Sequence, residues 1–149
     1  MAIKSIQYNQ HTFDISYEIL NPDAKVDIII LHGWGSDKGL MKQTFSPFMD
    51  SFRHIYIDLP GFGKSTCSTA LKTSDVARIV ELFMIHINAS KDIILGHSFG
   101  GKVGLLLEPR VLVLVASAGI YIPKALSVRL KIAATKVFNF FGLSKFRSL

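Results

Sequence analysis

The chain has little of what marks a secreted, membrane-spanning or disordered protein. It contains one cysteine, Cys67, so no disulfide can form within it, and a lone thiol fits a reducing cytoplasm. Residues 1–6 lack the apolar core of a signal peptide, and the longest nearly apolar run, residues 111–122, is shorter than the ~18 residues of a membrane span. With 149 residues, 49% of them hydrophobic, the chain is long enough for one packed domain. We therefore expect a globular, cytoplasmic protein.

Acidic residues are missing from the end of the chain. Residues 1–118 carry 11 Lys+Arg and 11 Asp+Glu, so the net charge of +6 belongs to residues 119–149. A nucleic-acid binder would spread basic residues over a folded face and support them with a recognisable motif. The sequence has no such motif, and we expect no nucleic-acid partner. It also has no cluster with metal-ligand spacing, so we expect no metal and no organic cofactor.

Short apolar segments alternate with helical patterns along the chain. Two alternating stretches, residues 2–9 and 12–20, surround a tight turn and predict a β-hairpin. Buried strands are predicted at residues 26–31, 54–57, 92–95 and 111–115. Helical periodicity separates them, which predicts an α/β fold with a mainly parallel sheet, an N-terminal antiparallel hairpin and helices on both faces.

Two helical segments carry more detailed predictions. Residues 38–52 place five apolar side chains on one stripe, and Pro47 should divide this segment into two short helices. A second periodic stretch runs from Val76 to Ile87, with N-cap candidates at residues 73–75.

The strongest chemical motif is GHSFGG at residues 96–101, directly after a predicted strand and before a helix-like stretch. This is the G-x-S-x-G pattern of a nucleophile elbow. Side chains flanking such a sharp turn would clash, which explains Gly96 and Gly100. The turn would present the Ser98 hydroxyl at the N-terminus of the next helix, where backbone N–H groups can stabilise an oxyanion.

A second motif, HGWG at residues 32–35, follows the strand that ends at Leu31. Glycines let the backbone approach a substrate closely, and the predicted oxyanion donors are the backbone N–H groups of Trp34 and Phe99. The alternative for Trp34 is an aromatic side chain packed within a loop. The residues expected to form the pocket and its loops are His32, Gly33, Gly35 and His97.

A third motif, DLPGFGKS at residues 58–65, includes the GKS of a phosphate-binding loop. That loop needs a glycine five residues before Gly63, where Asp58 stands, and a helix should follow at once. Residues 66–70 instead have loop composition. We therefore predict a structured turn that braces the cleft.

The three motifs, in this order and each after a strand, resemble the α/β-hydrolase superfamily. The resemblance covers residues 1–122 and is closest to small carboxylesterases, including those that cleave a pimeloyl methyl ester held on a carrier protein. It implies Ser98 as the nucleophile and the Trp34 and Phe99 backbones as the oxyanion hole. The resemblance leaves esters, thioesters, amides and activated C–C bonds open as substrates. Of these we expect a small-molecule ester or thioester, which can be linked to a carrier protein.

The resemblance does not extend to the rest of the catalytic triad. In the family, an acid and then a histidine follow the serine along the chain. After Ser98 this sequence has no histidine and no aspartate, and its only acid is Glu108. We therefore expect a C-terminally incomplete core that is weakly active or inactive alone. The alternatives are an inactive remnant or binding module, and a half-enzyme completed by a second polypeptide. The upstream histidines are interpreted as structural, with His32 the first alternative base.

The pattern changes after residue 122. Apolar side chains recur on one helical face between Pro123 and Gly142, and basic residues lie off that face. We interpret residues 123–149 as the start of a cap, opened by a basic amphipathic helix. The alternative is a helix that lies on a membrane surface, and we expect no membrane association.

Overall fold

The structure, a computed structural model, describes residues 1–119. Its nine elements follow one another in the order β1 (Ala2–Tyr8), β2 (His11–Leu20), β3 (Asp27–Leu31), α1 (Lys38–Phe45), β4 (Arg53–Ile57), α2 (Thr73–His86), β5 (Ile93–His97), α3 (Phe99–Leu107) and β6 (Val111–Val115). The predicted domain boundary at residue 122 and the amphipathic helix from Pro123 lie outside the described residues. Among the helices described, none is long and apolar enough to cross a membrane.

Six strands form one sheet in the order β1-β2-β4-β3-β5-β6. The pairs β1–β2 and β2–β4 are antiparallel, and the remaining three pairs are parallel. The hairpin turns at Asn9 and Gln10, both with positive φ (47° and 64°), as the tight turns favoured between antiparallel strands require. The predicted mixed sheet with an N-terminal hairpin is confirmed.

The central strand β3 is buried along its whole length, so its side chains fill two cores. Ile29 and Leu31 belong to a core on the face covered by α2 and α3, whereas Ile28 and Ile30 pack with Met41 of α1 on the other face. This division follows from the two-residue period of a strand. Helices therefore cover both faces of the sheet, as predicted.

Three predicted details are wrong. Residues 46–52 form turns rather than a second helix, because α1 ends at the cap Ser46, just before Pro47. The N-cap of α2 is Lys72, whose backbone N–H donates to the carboxylate of Asp75 (2.8 Å). The last strand is not buried: Val111 and Val113 are 46% and 39% exposed, because within residues 1–119 β6 is an edge strand.

Candidate active site

Ser98 lies between β5 and α3 in a strained backbone conformation. Its φ of 48° and ψ of −109° are rare for a residue with a side chain. Its N–H donates to the carbonyl of Val115 (3.0 Å), and its carbonyl accepts from the N–H of Ala118 (3.0 Å). The end of β6 thus holds the turn in place, and the structure has the strand–turn–helix form that the GHSFGG motif predicts.

Two glycines permit this turn because other backbone lies directly against them. A Cβ on Gly96 would lie 2.5 Å from the Cα of Gly101, and a Cβ on Gly100 would lie 2.4 Å from the carbonyl oxygen of Leu31. Such distances are far below van der Waals contact, and backbone atoms cannot move aside as a flexible side chain can. The glycines therefore let α3 pack closely against the ends of β3 and β5.

The loop after β3 touches the elbow directly. A Cβ on Gly33 would lie 3.2 Å from the Cβ of Ser98 and 2.9 Å from Nδ1 of His97. Within the loop, the N–H of Ser36 donates to the carbonyl of Gly33 (3.2 Å), and Gly35 has a φ of +70°. This is a β-turn that needs a positive φ at its third position. It brings the backbone of Trp34 beside the elbow.

Two backbone N–H groups at this junction have no acceptor within residues 1–119. They belong to Trp34, in the turn, and to Phe99, the first residue of α3. The first N–H groups of a helix have no partner within it and carry partial positive charge. The junction therefore has two backbone donors that are not used within residues 1–119.

His32 is fully buried, and both of its ring nitrogens are bonded within the protein. Nδ1 donates to the carbonyl of Gly33 (2.7 Å), and Nε2 accepts from the N–H of Leu59 (2.9 Å). Burial lowers the pKa of His32, which keeps the ring neutral. The ring thus braces two loops and does not line an open pocket, in agreement with its structural interpretation.

Within residues 1–119, Ser98 makes no side-chain hydrogen bond to any of the other acid and base candidates, although the ring of His97 lies beside it against Gly33. His54 is buried at the amino end of β4, with its ring nitrogens against the Tyr56 hydroxyl (2.9 Å) and the Met49 carbonyl (2.7 Å). Glu108 caps the far end of α3, and nine helical residues span about 13 Å. The two exposed histidines, His11 and His86, lie in the hairpin and near the end of α2.

The DLPGFGKS segment is a turn built around a buried carboxylate. Asp58 accepts from the backbone N–H (2.7 Å) and ammonium (2.5 Å) of Lys38 and from the N–H of Lys64 (3.0 Å). Burial opposes ionisation, yet these hydrogen bonds and the Lys38 charge lower the pKa of Asp58. A Cβ on Gly63 would lie 2.4 Å from the carboxyl carbon of Asp58. The segment is thus a structured turn, as predicted, with its backbone and Lys38 bonded to a carboxylate of the protein itself.

An aromatic cluster of Trp34, Phe62 and Phe99 stands beside the elbow. The Trp34 ring meets Phe62 and Phe99 edge-on, with centroids 4.9 and 5.4 Å apart, yet it is 74% exposed. A cavity of about 370 Å³ adjoins the cluster, and its other walls include Cys67, Leu71 and Val76. No sequence pattern indicates Phe62 or these walls as part of the site, because the residues come from separate loops and a helix with no shared motif.

Residues 1–119 contain no group of three or more His, Cys, Asp or Glu side chains that could hold a metal ion. Most of the residues expected at the site come together at the carboxyl ends of β3 and β5. They are Gly33, His97, Ser98 and the backbones of Trp34 and Phe99. Gly35 shapes the turn beside them, and His32 lies beneath it.

Comparison with known proteins agrees with this architecture. Residues 28–147 match the model of the alpha/beta hydrolase family. The chain is 38% identical over 77 residues to the pimeloyl-[acyl-carrier protein] methyl ester esterase of Vibrio campbellii, covering 52% of this chain and 29% of that protein. It is 33% identical over 79 residues to the 2-succinyl-6-hydroxy-2,4-cyclohexadiene-1-carboxylate synthase of Salmonella agona, covering 53% of this chain and 31% of that protein.

Solved structures share the fold. A thermophilic esterase from Thermogutta terrifontis superposes with a TM-score of 0.70 at 20% identity, covering 88% of this chain and 50% of that chain. A bacterial membrane phospholipase A superposes with a TM-score of 0.72 at 22% identity, covering 89% of this chain and 45% of that chain. This chain thus spans about half the length of these solved structures. Since the family model matches most of its residues, the chain belongs to the alpha/beta hydrolase family.

Proposed function

We propose that the chain supplies the nucleophilic serine and the oxyanion donors of a serine hydrolase that acts on a carboxylic ester or thioester. The observation that supports this most directly is the strained Ser98, held between β5 and α3 and in contact with Gly33. In the proposed reaction, the Ser98 hydroxyl oxygen attacks the acyl carbon and the alcohol or thiol leaves. Water then cleaves the acyl-enzyme and releases the acid.

The carbonyl oxygen of the substrate becomes negatively charged during the attack. The N–H groups of Trp34 and Phe99 are the proposed donors to this oxygen, because both lack an acceptor within residues 1–119. Each donor of this kind contributes about 100- to 1000-fold to the rate. The N-terminus of α3 adds partial positive charge at the same place.

The proton of Ser98 needs an acceptor that these residues do not supply. No histidine follows Ser98 in the 149 residues, and the rings of His32 and His54 are fully engaged. His97 lies beside Ser98 against Gly33, but no hydrogen bond joins its ring to the Ser98 hydroxyl within residues 1–119. We therefore expect this chain alone to react slowly. Donors and binding without a triad still accelerate hydrolysis by roughly 1000- to 10,000-fold over water.

The substrate class rests on the relatives and on the cavity. The Vibrio campbellii relative is named for the methyl ester of a pimeloyl group attached to an acyl-carrier protein, which favours a small ester that can be attached to a carrier protein. The cavity beside Trp34 and Phe99 has mainly apolar walls and would suit a hydrocarbon portion of such a substrate. A cytoplasmic location completes the proposal, since Cys67 is an exposed free thiol.

The second candidate is a catalytically inactive remnant or binding module, favoured by the absence of histidine and aspartate after Ser98. A fluorophosphonate probe separates the two candidates. We expect slow labelling of the folded chain that Ser98→Ala abolishes and that Ser68→Ala, at an exposed serine, leaves unchanged. A chain with the circular dichroism spectrum of an α/β protein that is never labelled would support the inactive candidate.

A further inference from the structure

One peptide unit beside Ser98 is held by its carbonyl group. The carbonyl of Gly33 accepts two hydrogen bonds, from Nδ1 of His32 (2.7 Å) and from the N–H of Ser36 (3.2 Å). The peptide bond between Gly33 and Trp34 is trans, as are all those of the described residues, and a peptide unit is close to planar. In a trans peptide the N–H points opposite to the C=O. Fixing the Gly33 carbonyl therefore also fixes the direction of the Trp34 N–H.

His32 is itself immobilised from three sides. Its Nε2 accepts from the N–H of Leu59 (2.9 Å), and the ring of Phe62 lies edge-on at 5.6 Å. Its own carbonyl oxygen would be only 2.6 Å from a Cβ on Gly100, so the first turn of α3 packs directly on it. Because Nε2 is an acceptor, the proton of the neutral ring is on Nδ1, where it can reach Gly33.

We propose that His32 is a positioning residue, which aims the N–H of Trp34 at the oxygen that becomes negative during attack by Ser98. This inference rests on the proposed function. His32 touches no substrate, and it acts only through the orientation of one peptide plane. The contact between Gly33 and Ser98 brings that plane to the reacting group.

Two substitutions test the hydrogen bonds of the two ring nitrogens of His32 one at a time. In His32→Asn the side-chain amide nitrogen can occupy the place of Nδ1 and donate to Gly33, but nothing reaches Leu59. In His32→Gln the amide oxygen can occupy the place of Nε2 and accept from Leu59, but the donor to Gly33 is lost. Each variant thus breaks one hydrogen bond of a buried network and keeps the other.

The rate of fluorophosphonate labelling at Ser98 is the first readout. We expect His32→Gln to label about 10- to 100-fold more slowly than His32→Asn, because only the former leaves the peptide that carries an oxyanion donor held by the longer Ser36 hydrogen bond alone. His54→Gln is the matched control, since His54 is equally buried and equally bonded but lies at the amino end of its strand. We expect it to lower the melting temperature and to leave the labelling rate unchanged.

The carbonyl ¹³C chemical shift of Gly33 is the second readout, and it needs no reactivity. We expect an upfield shift in His32→Gln and little change in His32→Asn. Equal labelling of these two folded variants, or a Gly33 shift that is the same in both, would overturn the positioning role. A parent chain that is folded but never labelled would overturn the proposed function, and the chemical shift alone would then decide whether His32 fixes this peptide.

Discussion

The amino and carboxyl ends of the parallel strands bury similar polar groups in different ways. At the amino ends, Asp27 accepts from two nitrogens of Arg53 (2.6 and 2.8 Å), and His54 is bonded through both nitrogens. At the carboxyl ends, Asp58 accepts from Lys38 and His32 is again bonded through both nitrogens. Each end therefore satisfies one buried acid and one buried histidine.

The difference lies in the backbone that these groups hold. At the carboxyl ends, His32 fixes the glycine-containing turn that lies against the elbow, next to two N–H groups without an acceptor in residues 1–119. At the amino ends, the third partner of Asp27 is the N–H of Ser90 (2.6 Å), so even the loop amide there is paired. Hydrogen bonds thus satisfy the buried polar groups at both ends, but only at the carboxyl ends do these groups hold a turn that lies against Ser98.

Removing the two buried carboxylates should have unequal effects, and this is the largest difference we expect. Asp58→Asn leaves the buried ammonium of Lys38 unpaired and should lower the free energy of unfolding by about 3–5 kcal/mol. Asp27→Asn should lower it by about 2 kcal/mol, because Arg53 is partly exposed and can be hydrated. Urea unfolding of both variants measures the difference, and equal losses would contradict it.

Protonation of His32 should make the carboxyl ends sensitive to pH. Because burial lowers the pKa of His32, the folded protein resists a proton that the unfolded chain accepts near pH 6.5. The stability contribution is complete above about pH 6.5 and is lost as the pH falls from there toward the folded pKa. Urea unfolding at several pH values should show this slope in the parent and a shallower one in His32→Asn. Identical slopes in the two proteins would show that this pH dependence of stability does not come from His32.

Trp34 should contribute little to stability despite its size, which is the smallest effect of the three. Its ring is mostly exposed, so Trp34→Ala should lower the free energy of unfolding by about 1 kcal/mol or less, through loss of the edge-on contacts. Trp34→Phe is the control that keeps an aromatic edge at the cluster. A loss of several kcal/mol would mean that this ring is part of the core rather than a surface of the cleft.

Much of this architecture was predictable because it depends on local patterns. Alternation of apolar and polar residues predicts the hairpin, continuous apolar runs predict β3 to β5, and glycines around Ser98 predict a turn that a Cβ would obstruct. The errors fall where local rules compete. Pro47 ends α1 without starting another helix, and β6 has the composition of a central strand but lies at the edge of the described sheet.

The sequence by itself determined the order of strands and helices and the position of the elbow, because backbone conformation and short-range clashes depend on neighbouring residues. Only the tertiary structure decided which polar groups meet. Lys38 and Asp58 are 20 residues apart, and His32 reaches the N–H of Leu59 across 27 residues. No periodicity encodes such partners, since hydrogen bonds between loops form only once parallel pairing of β3 and β4 brings their ends together.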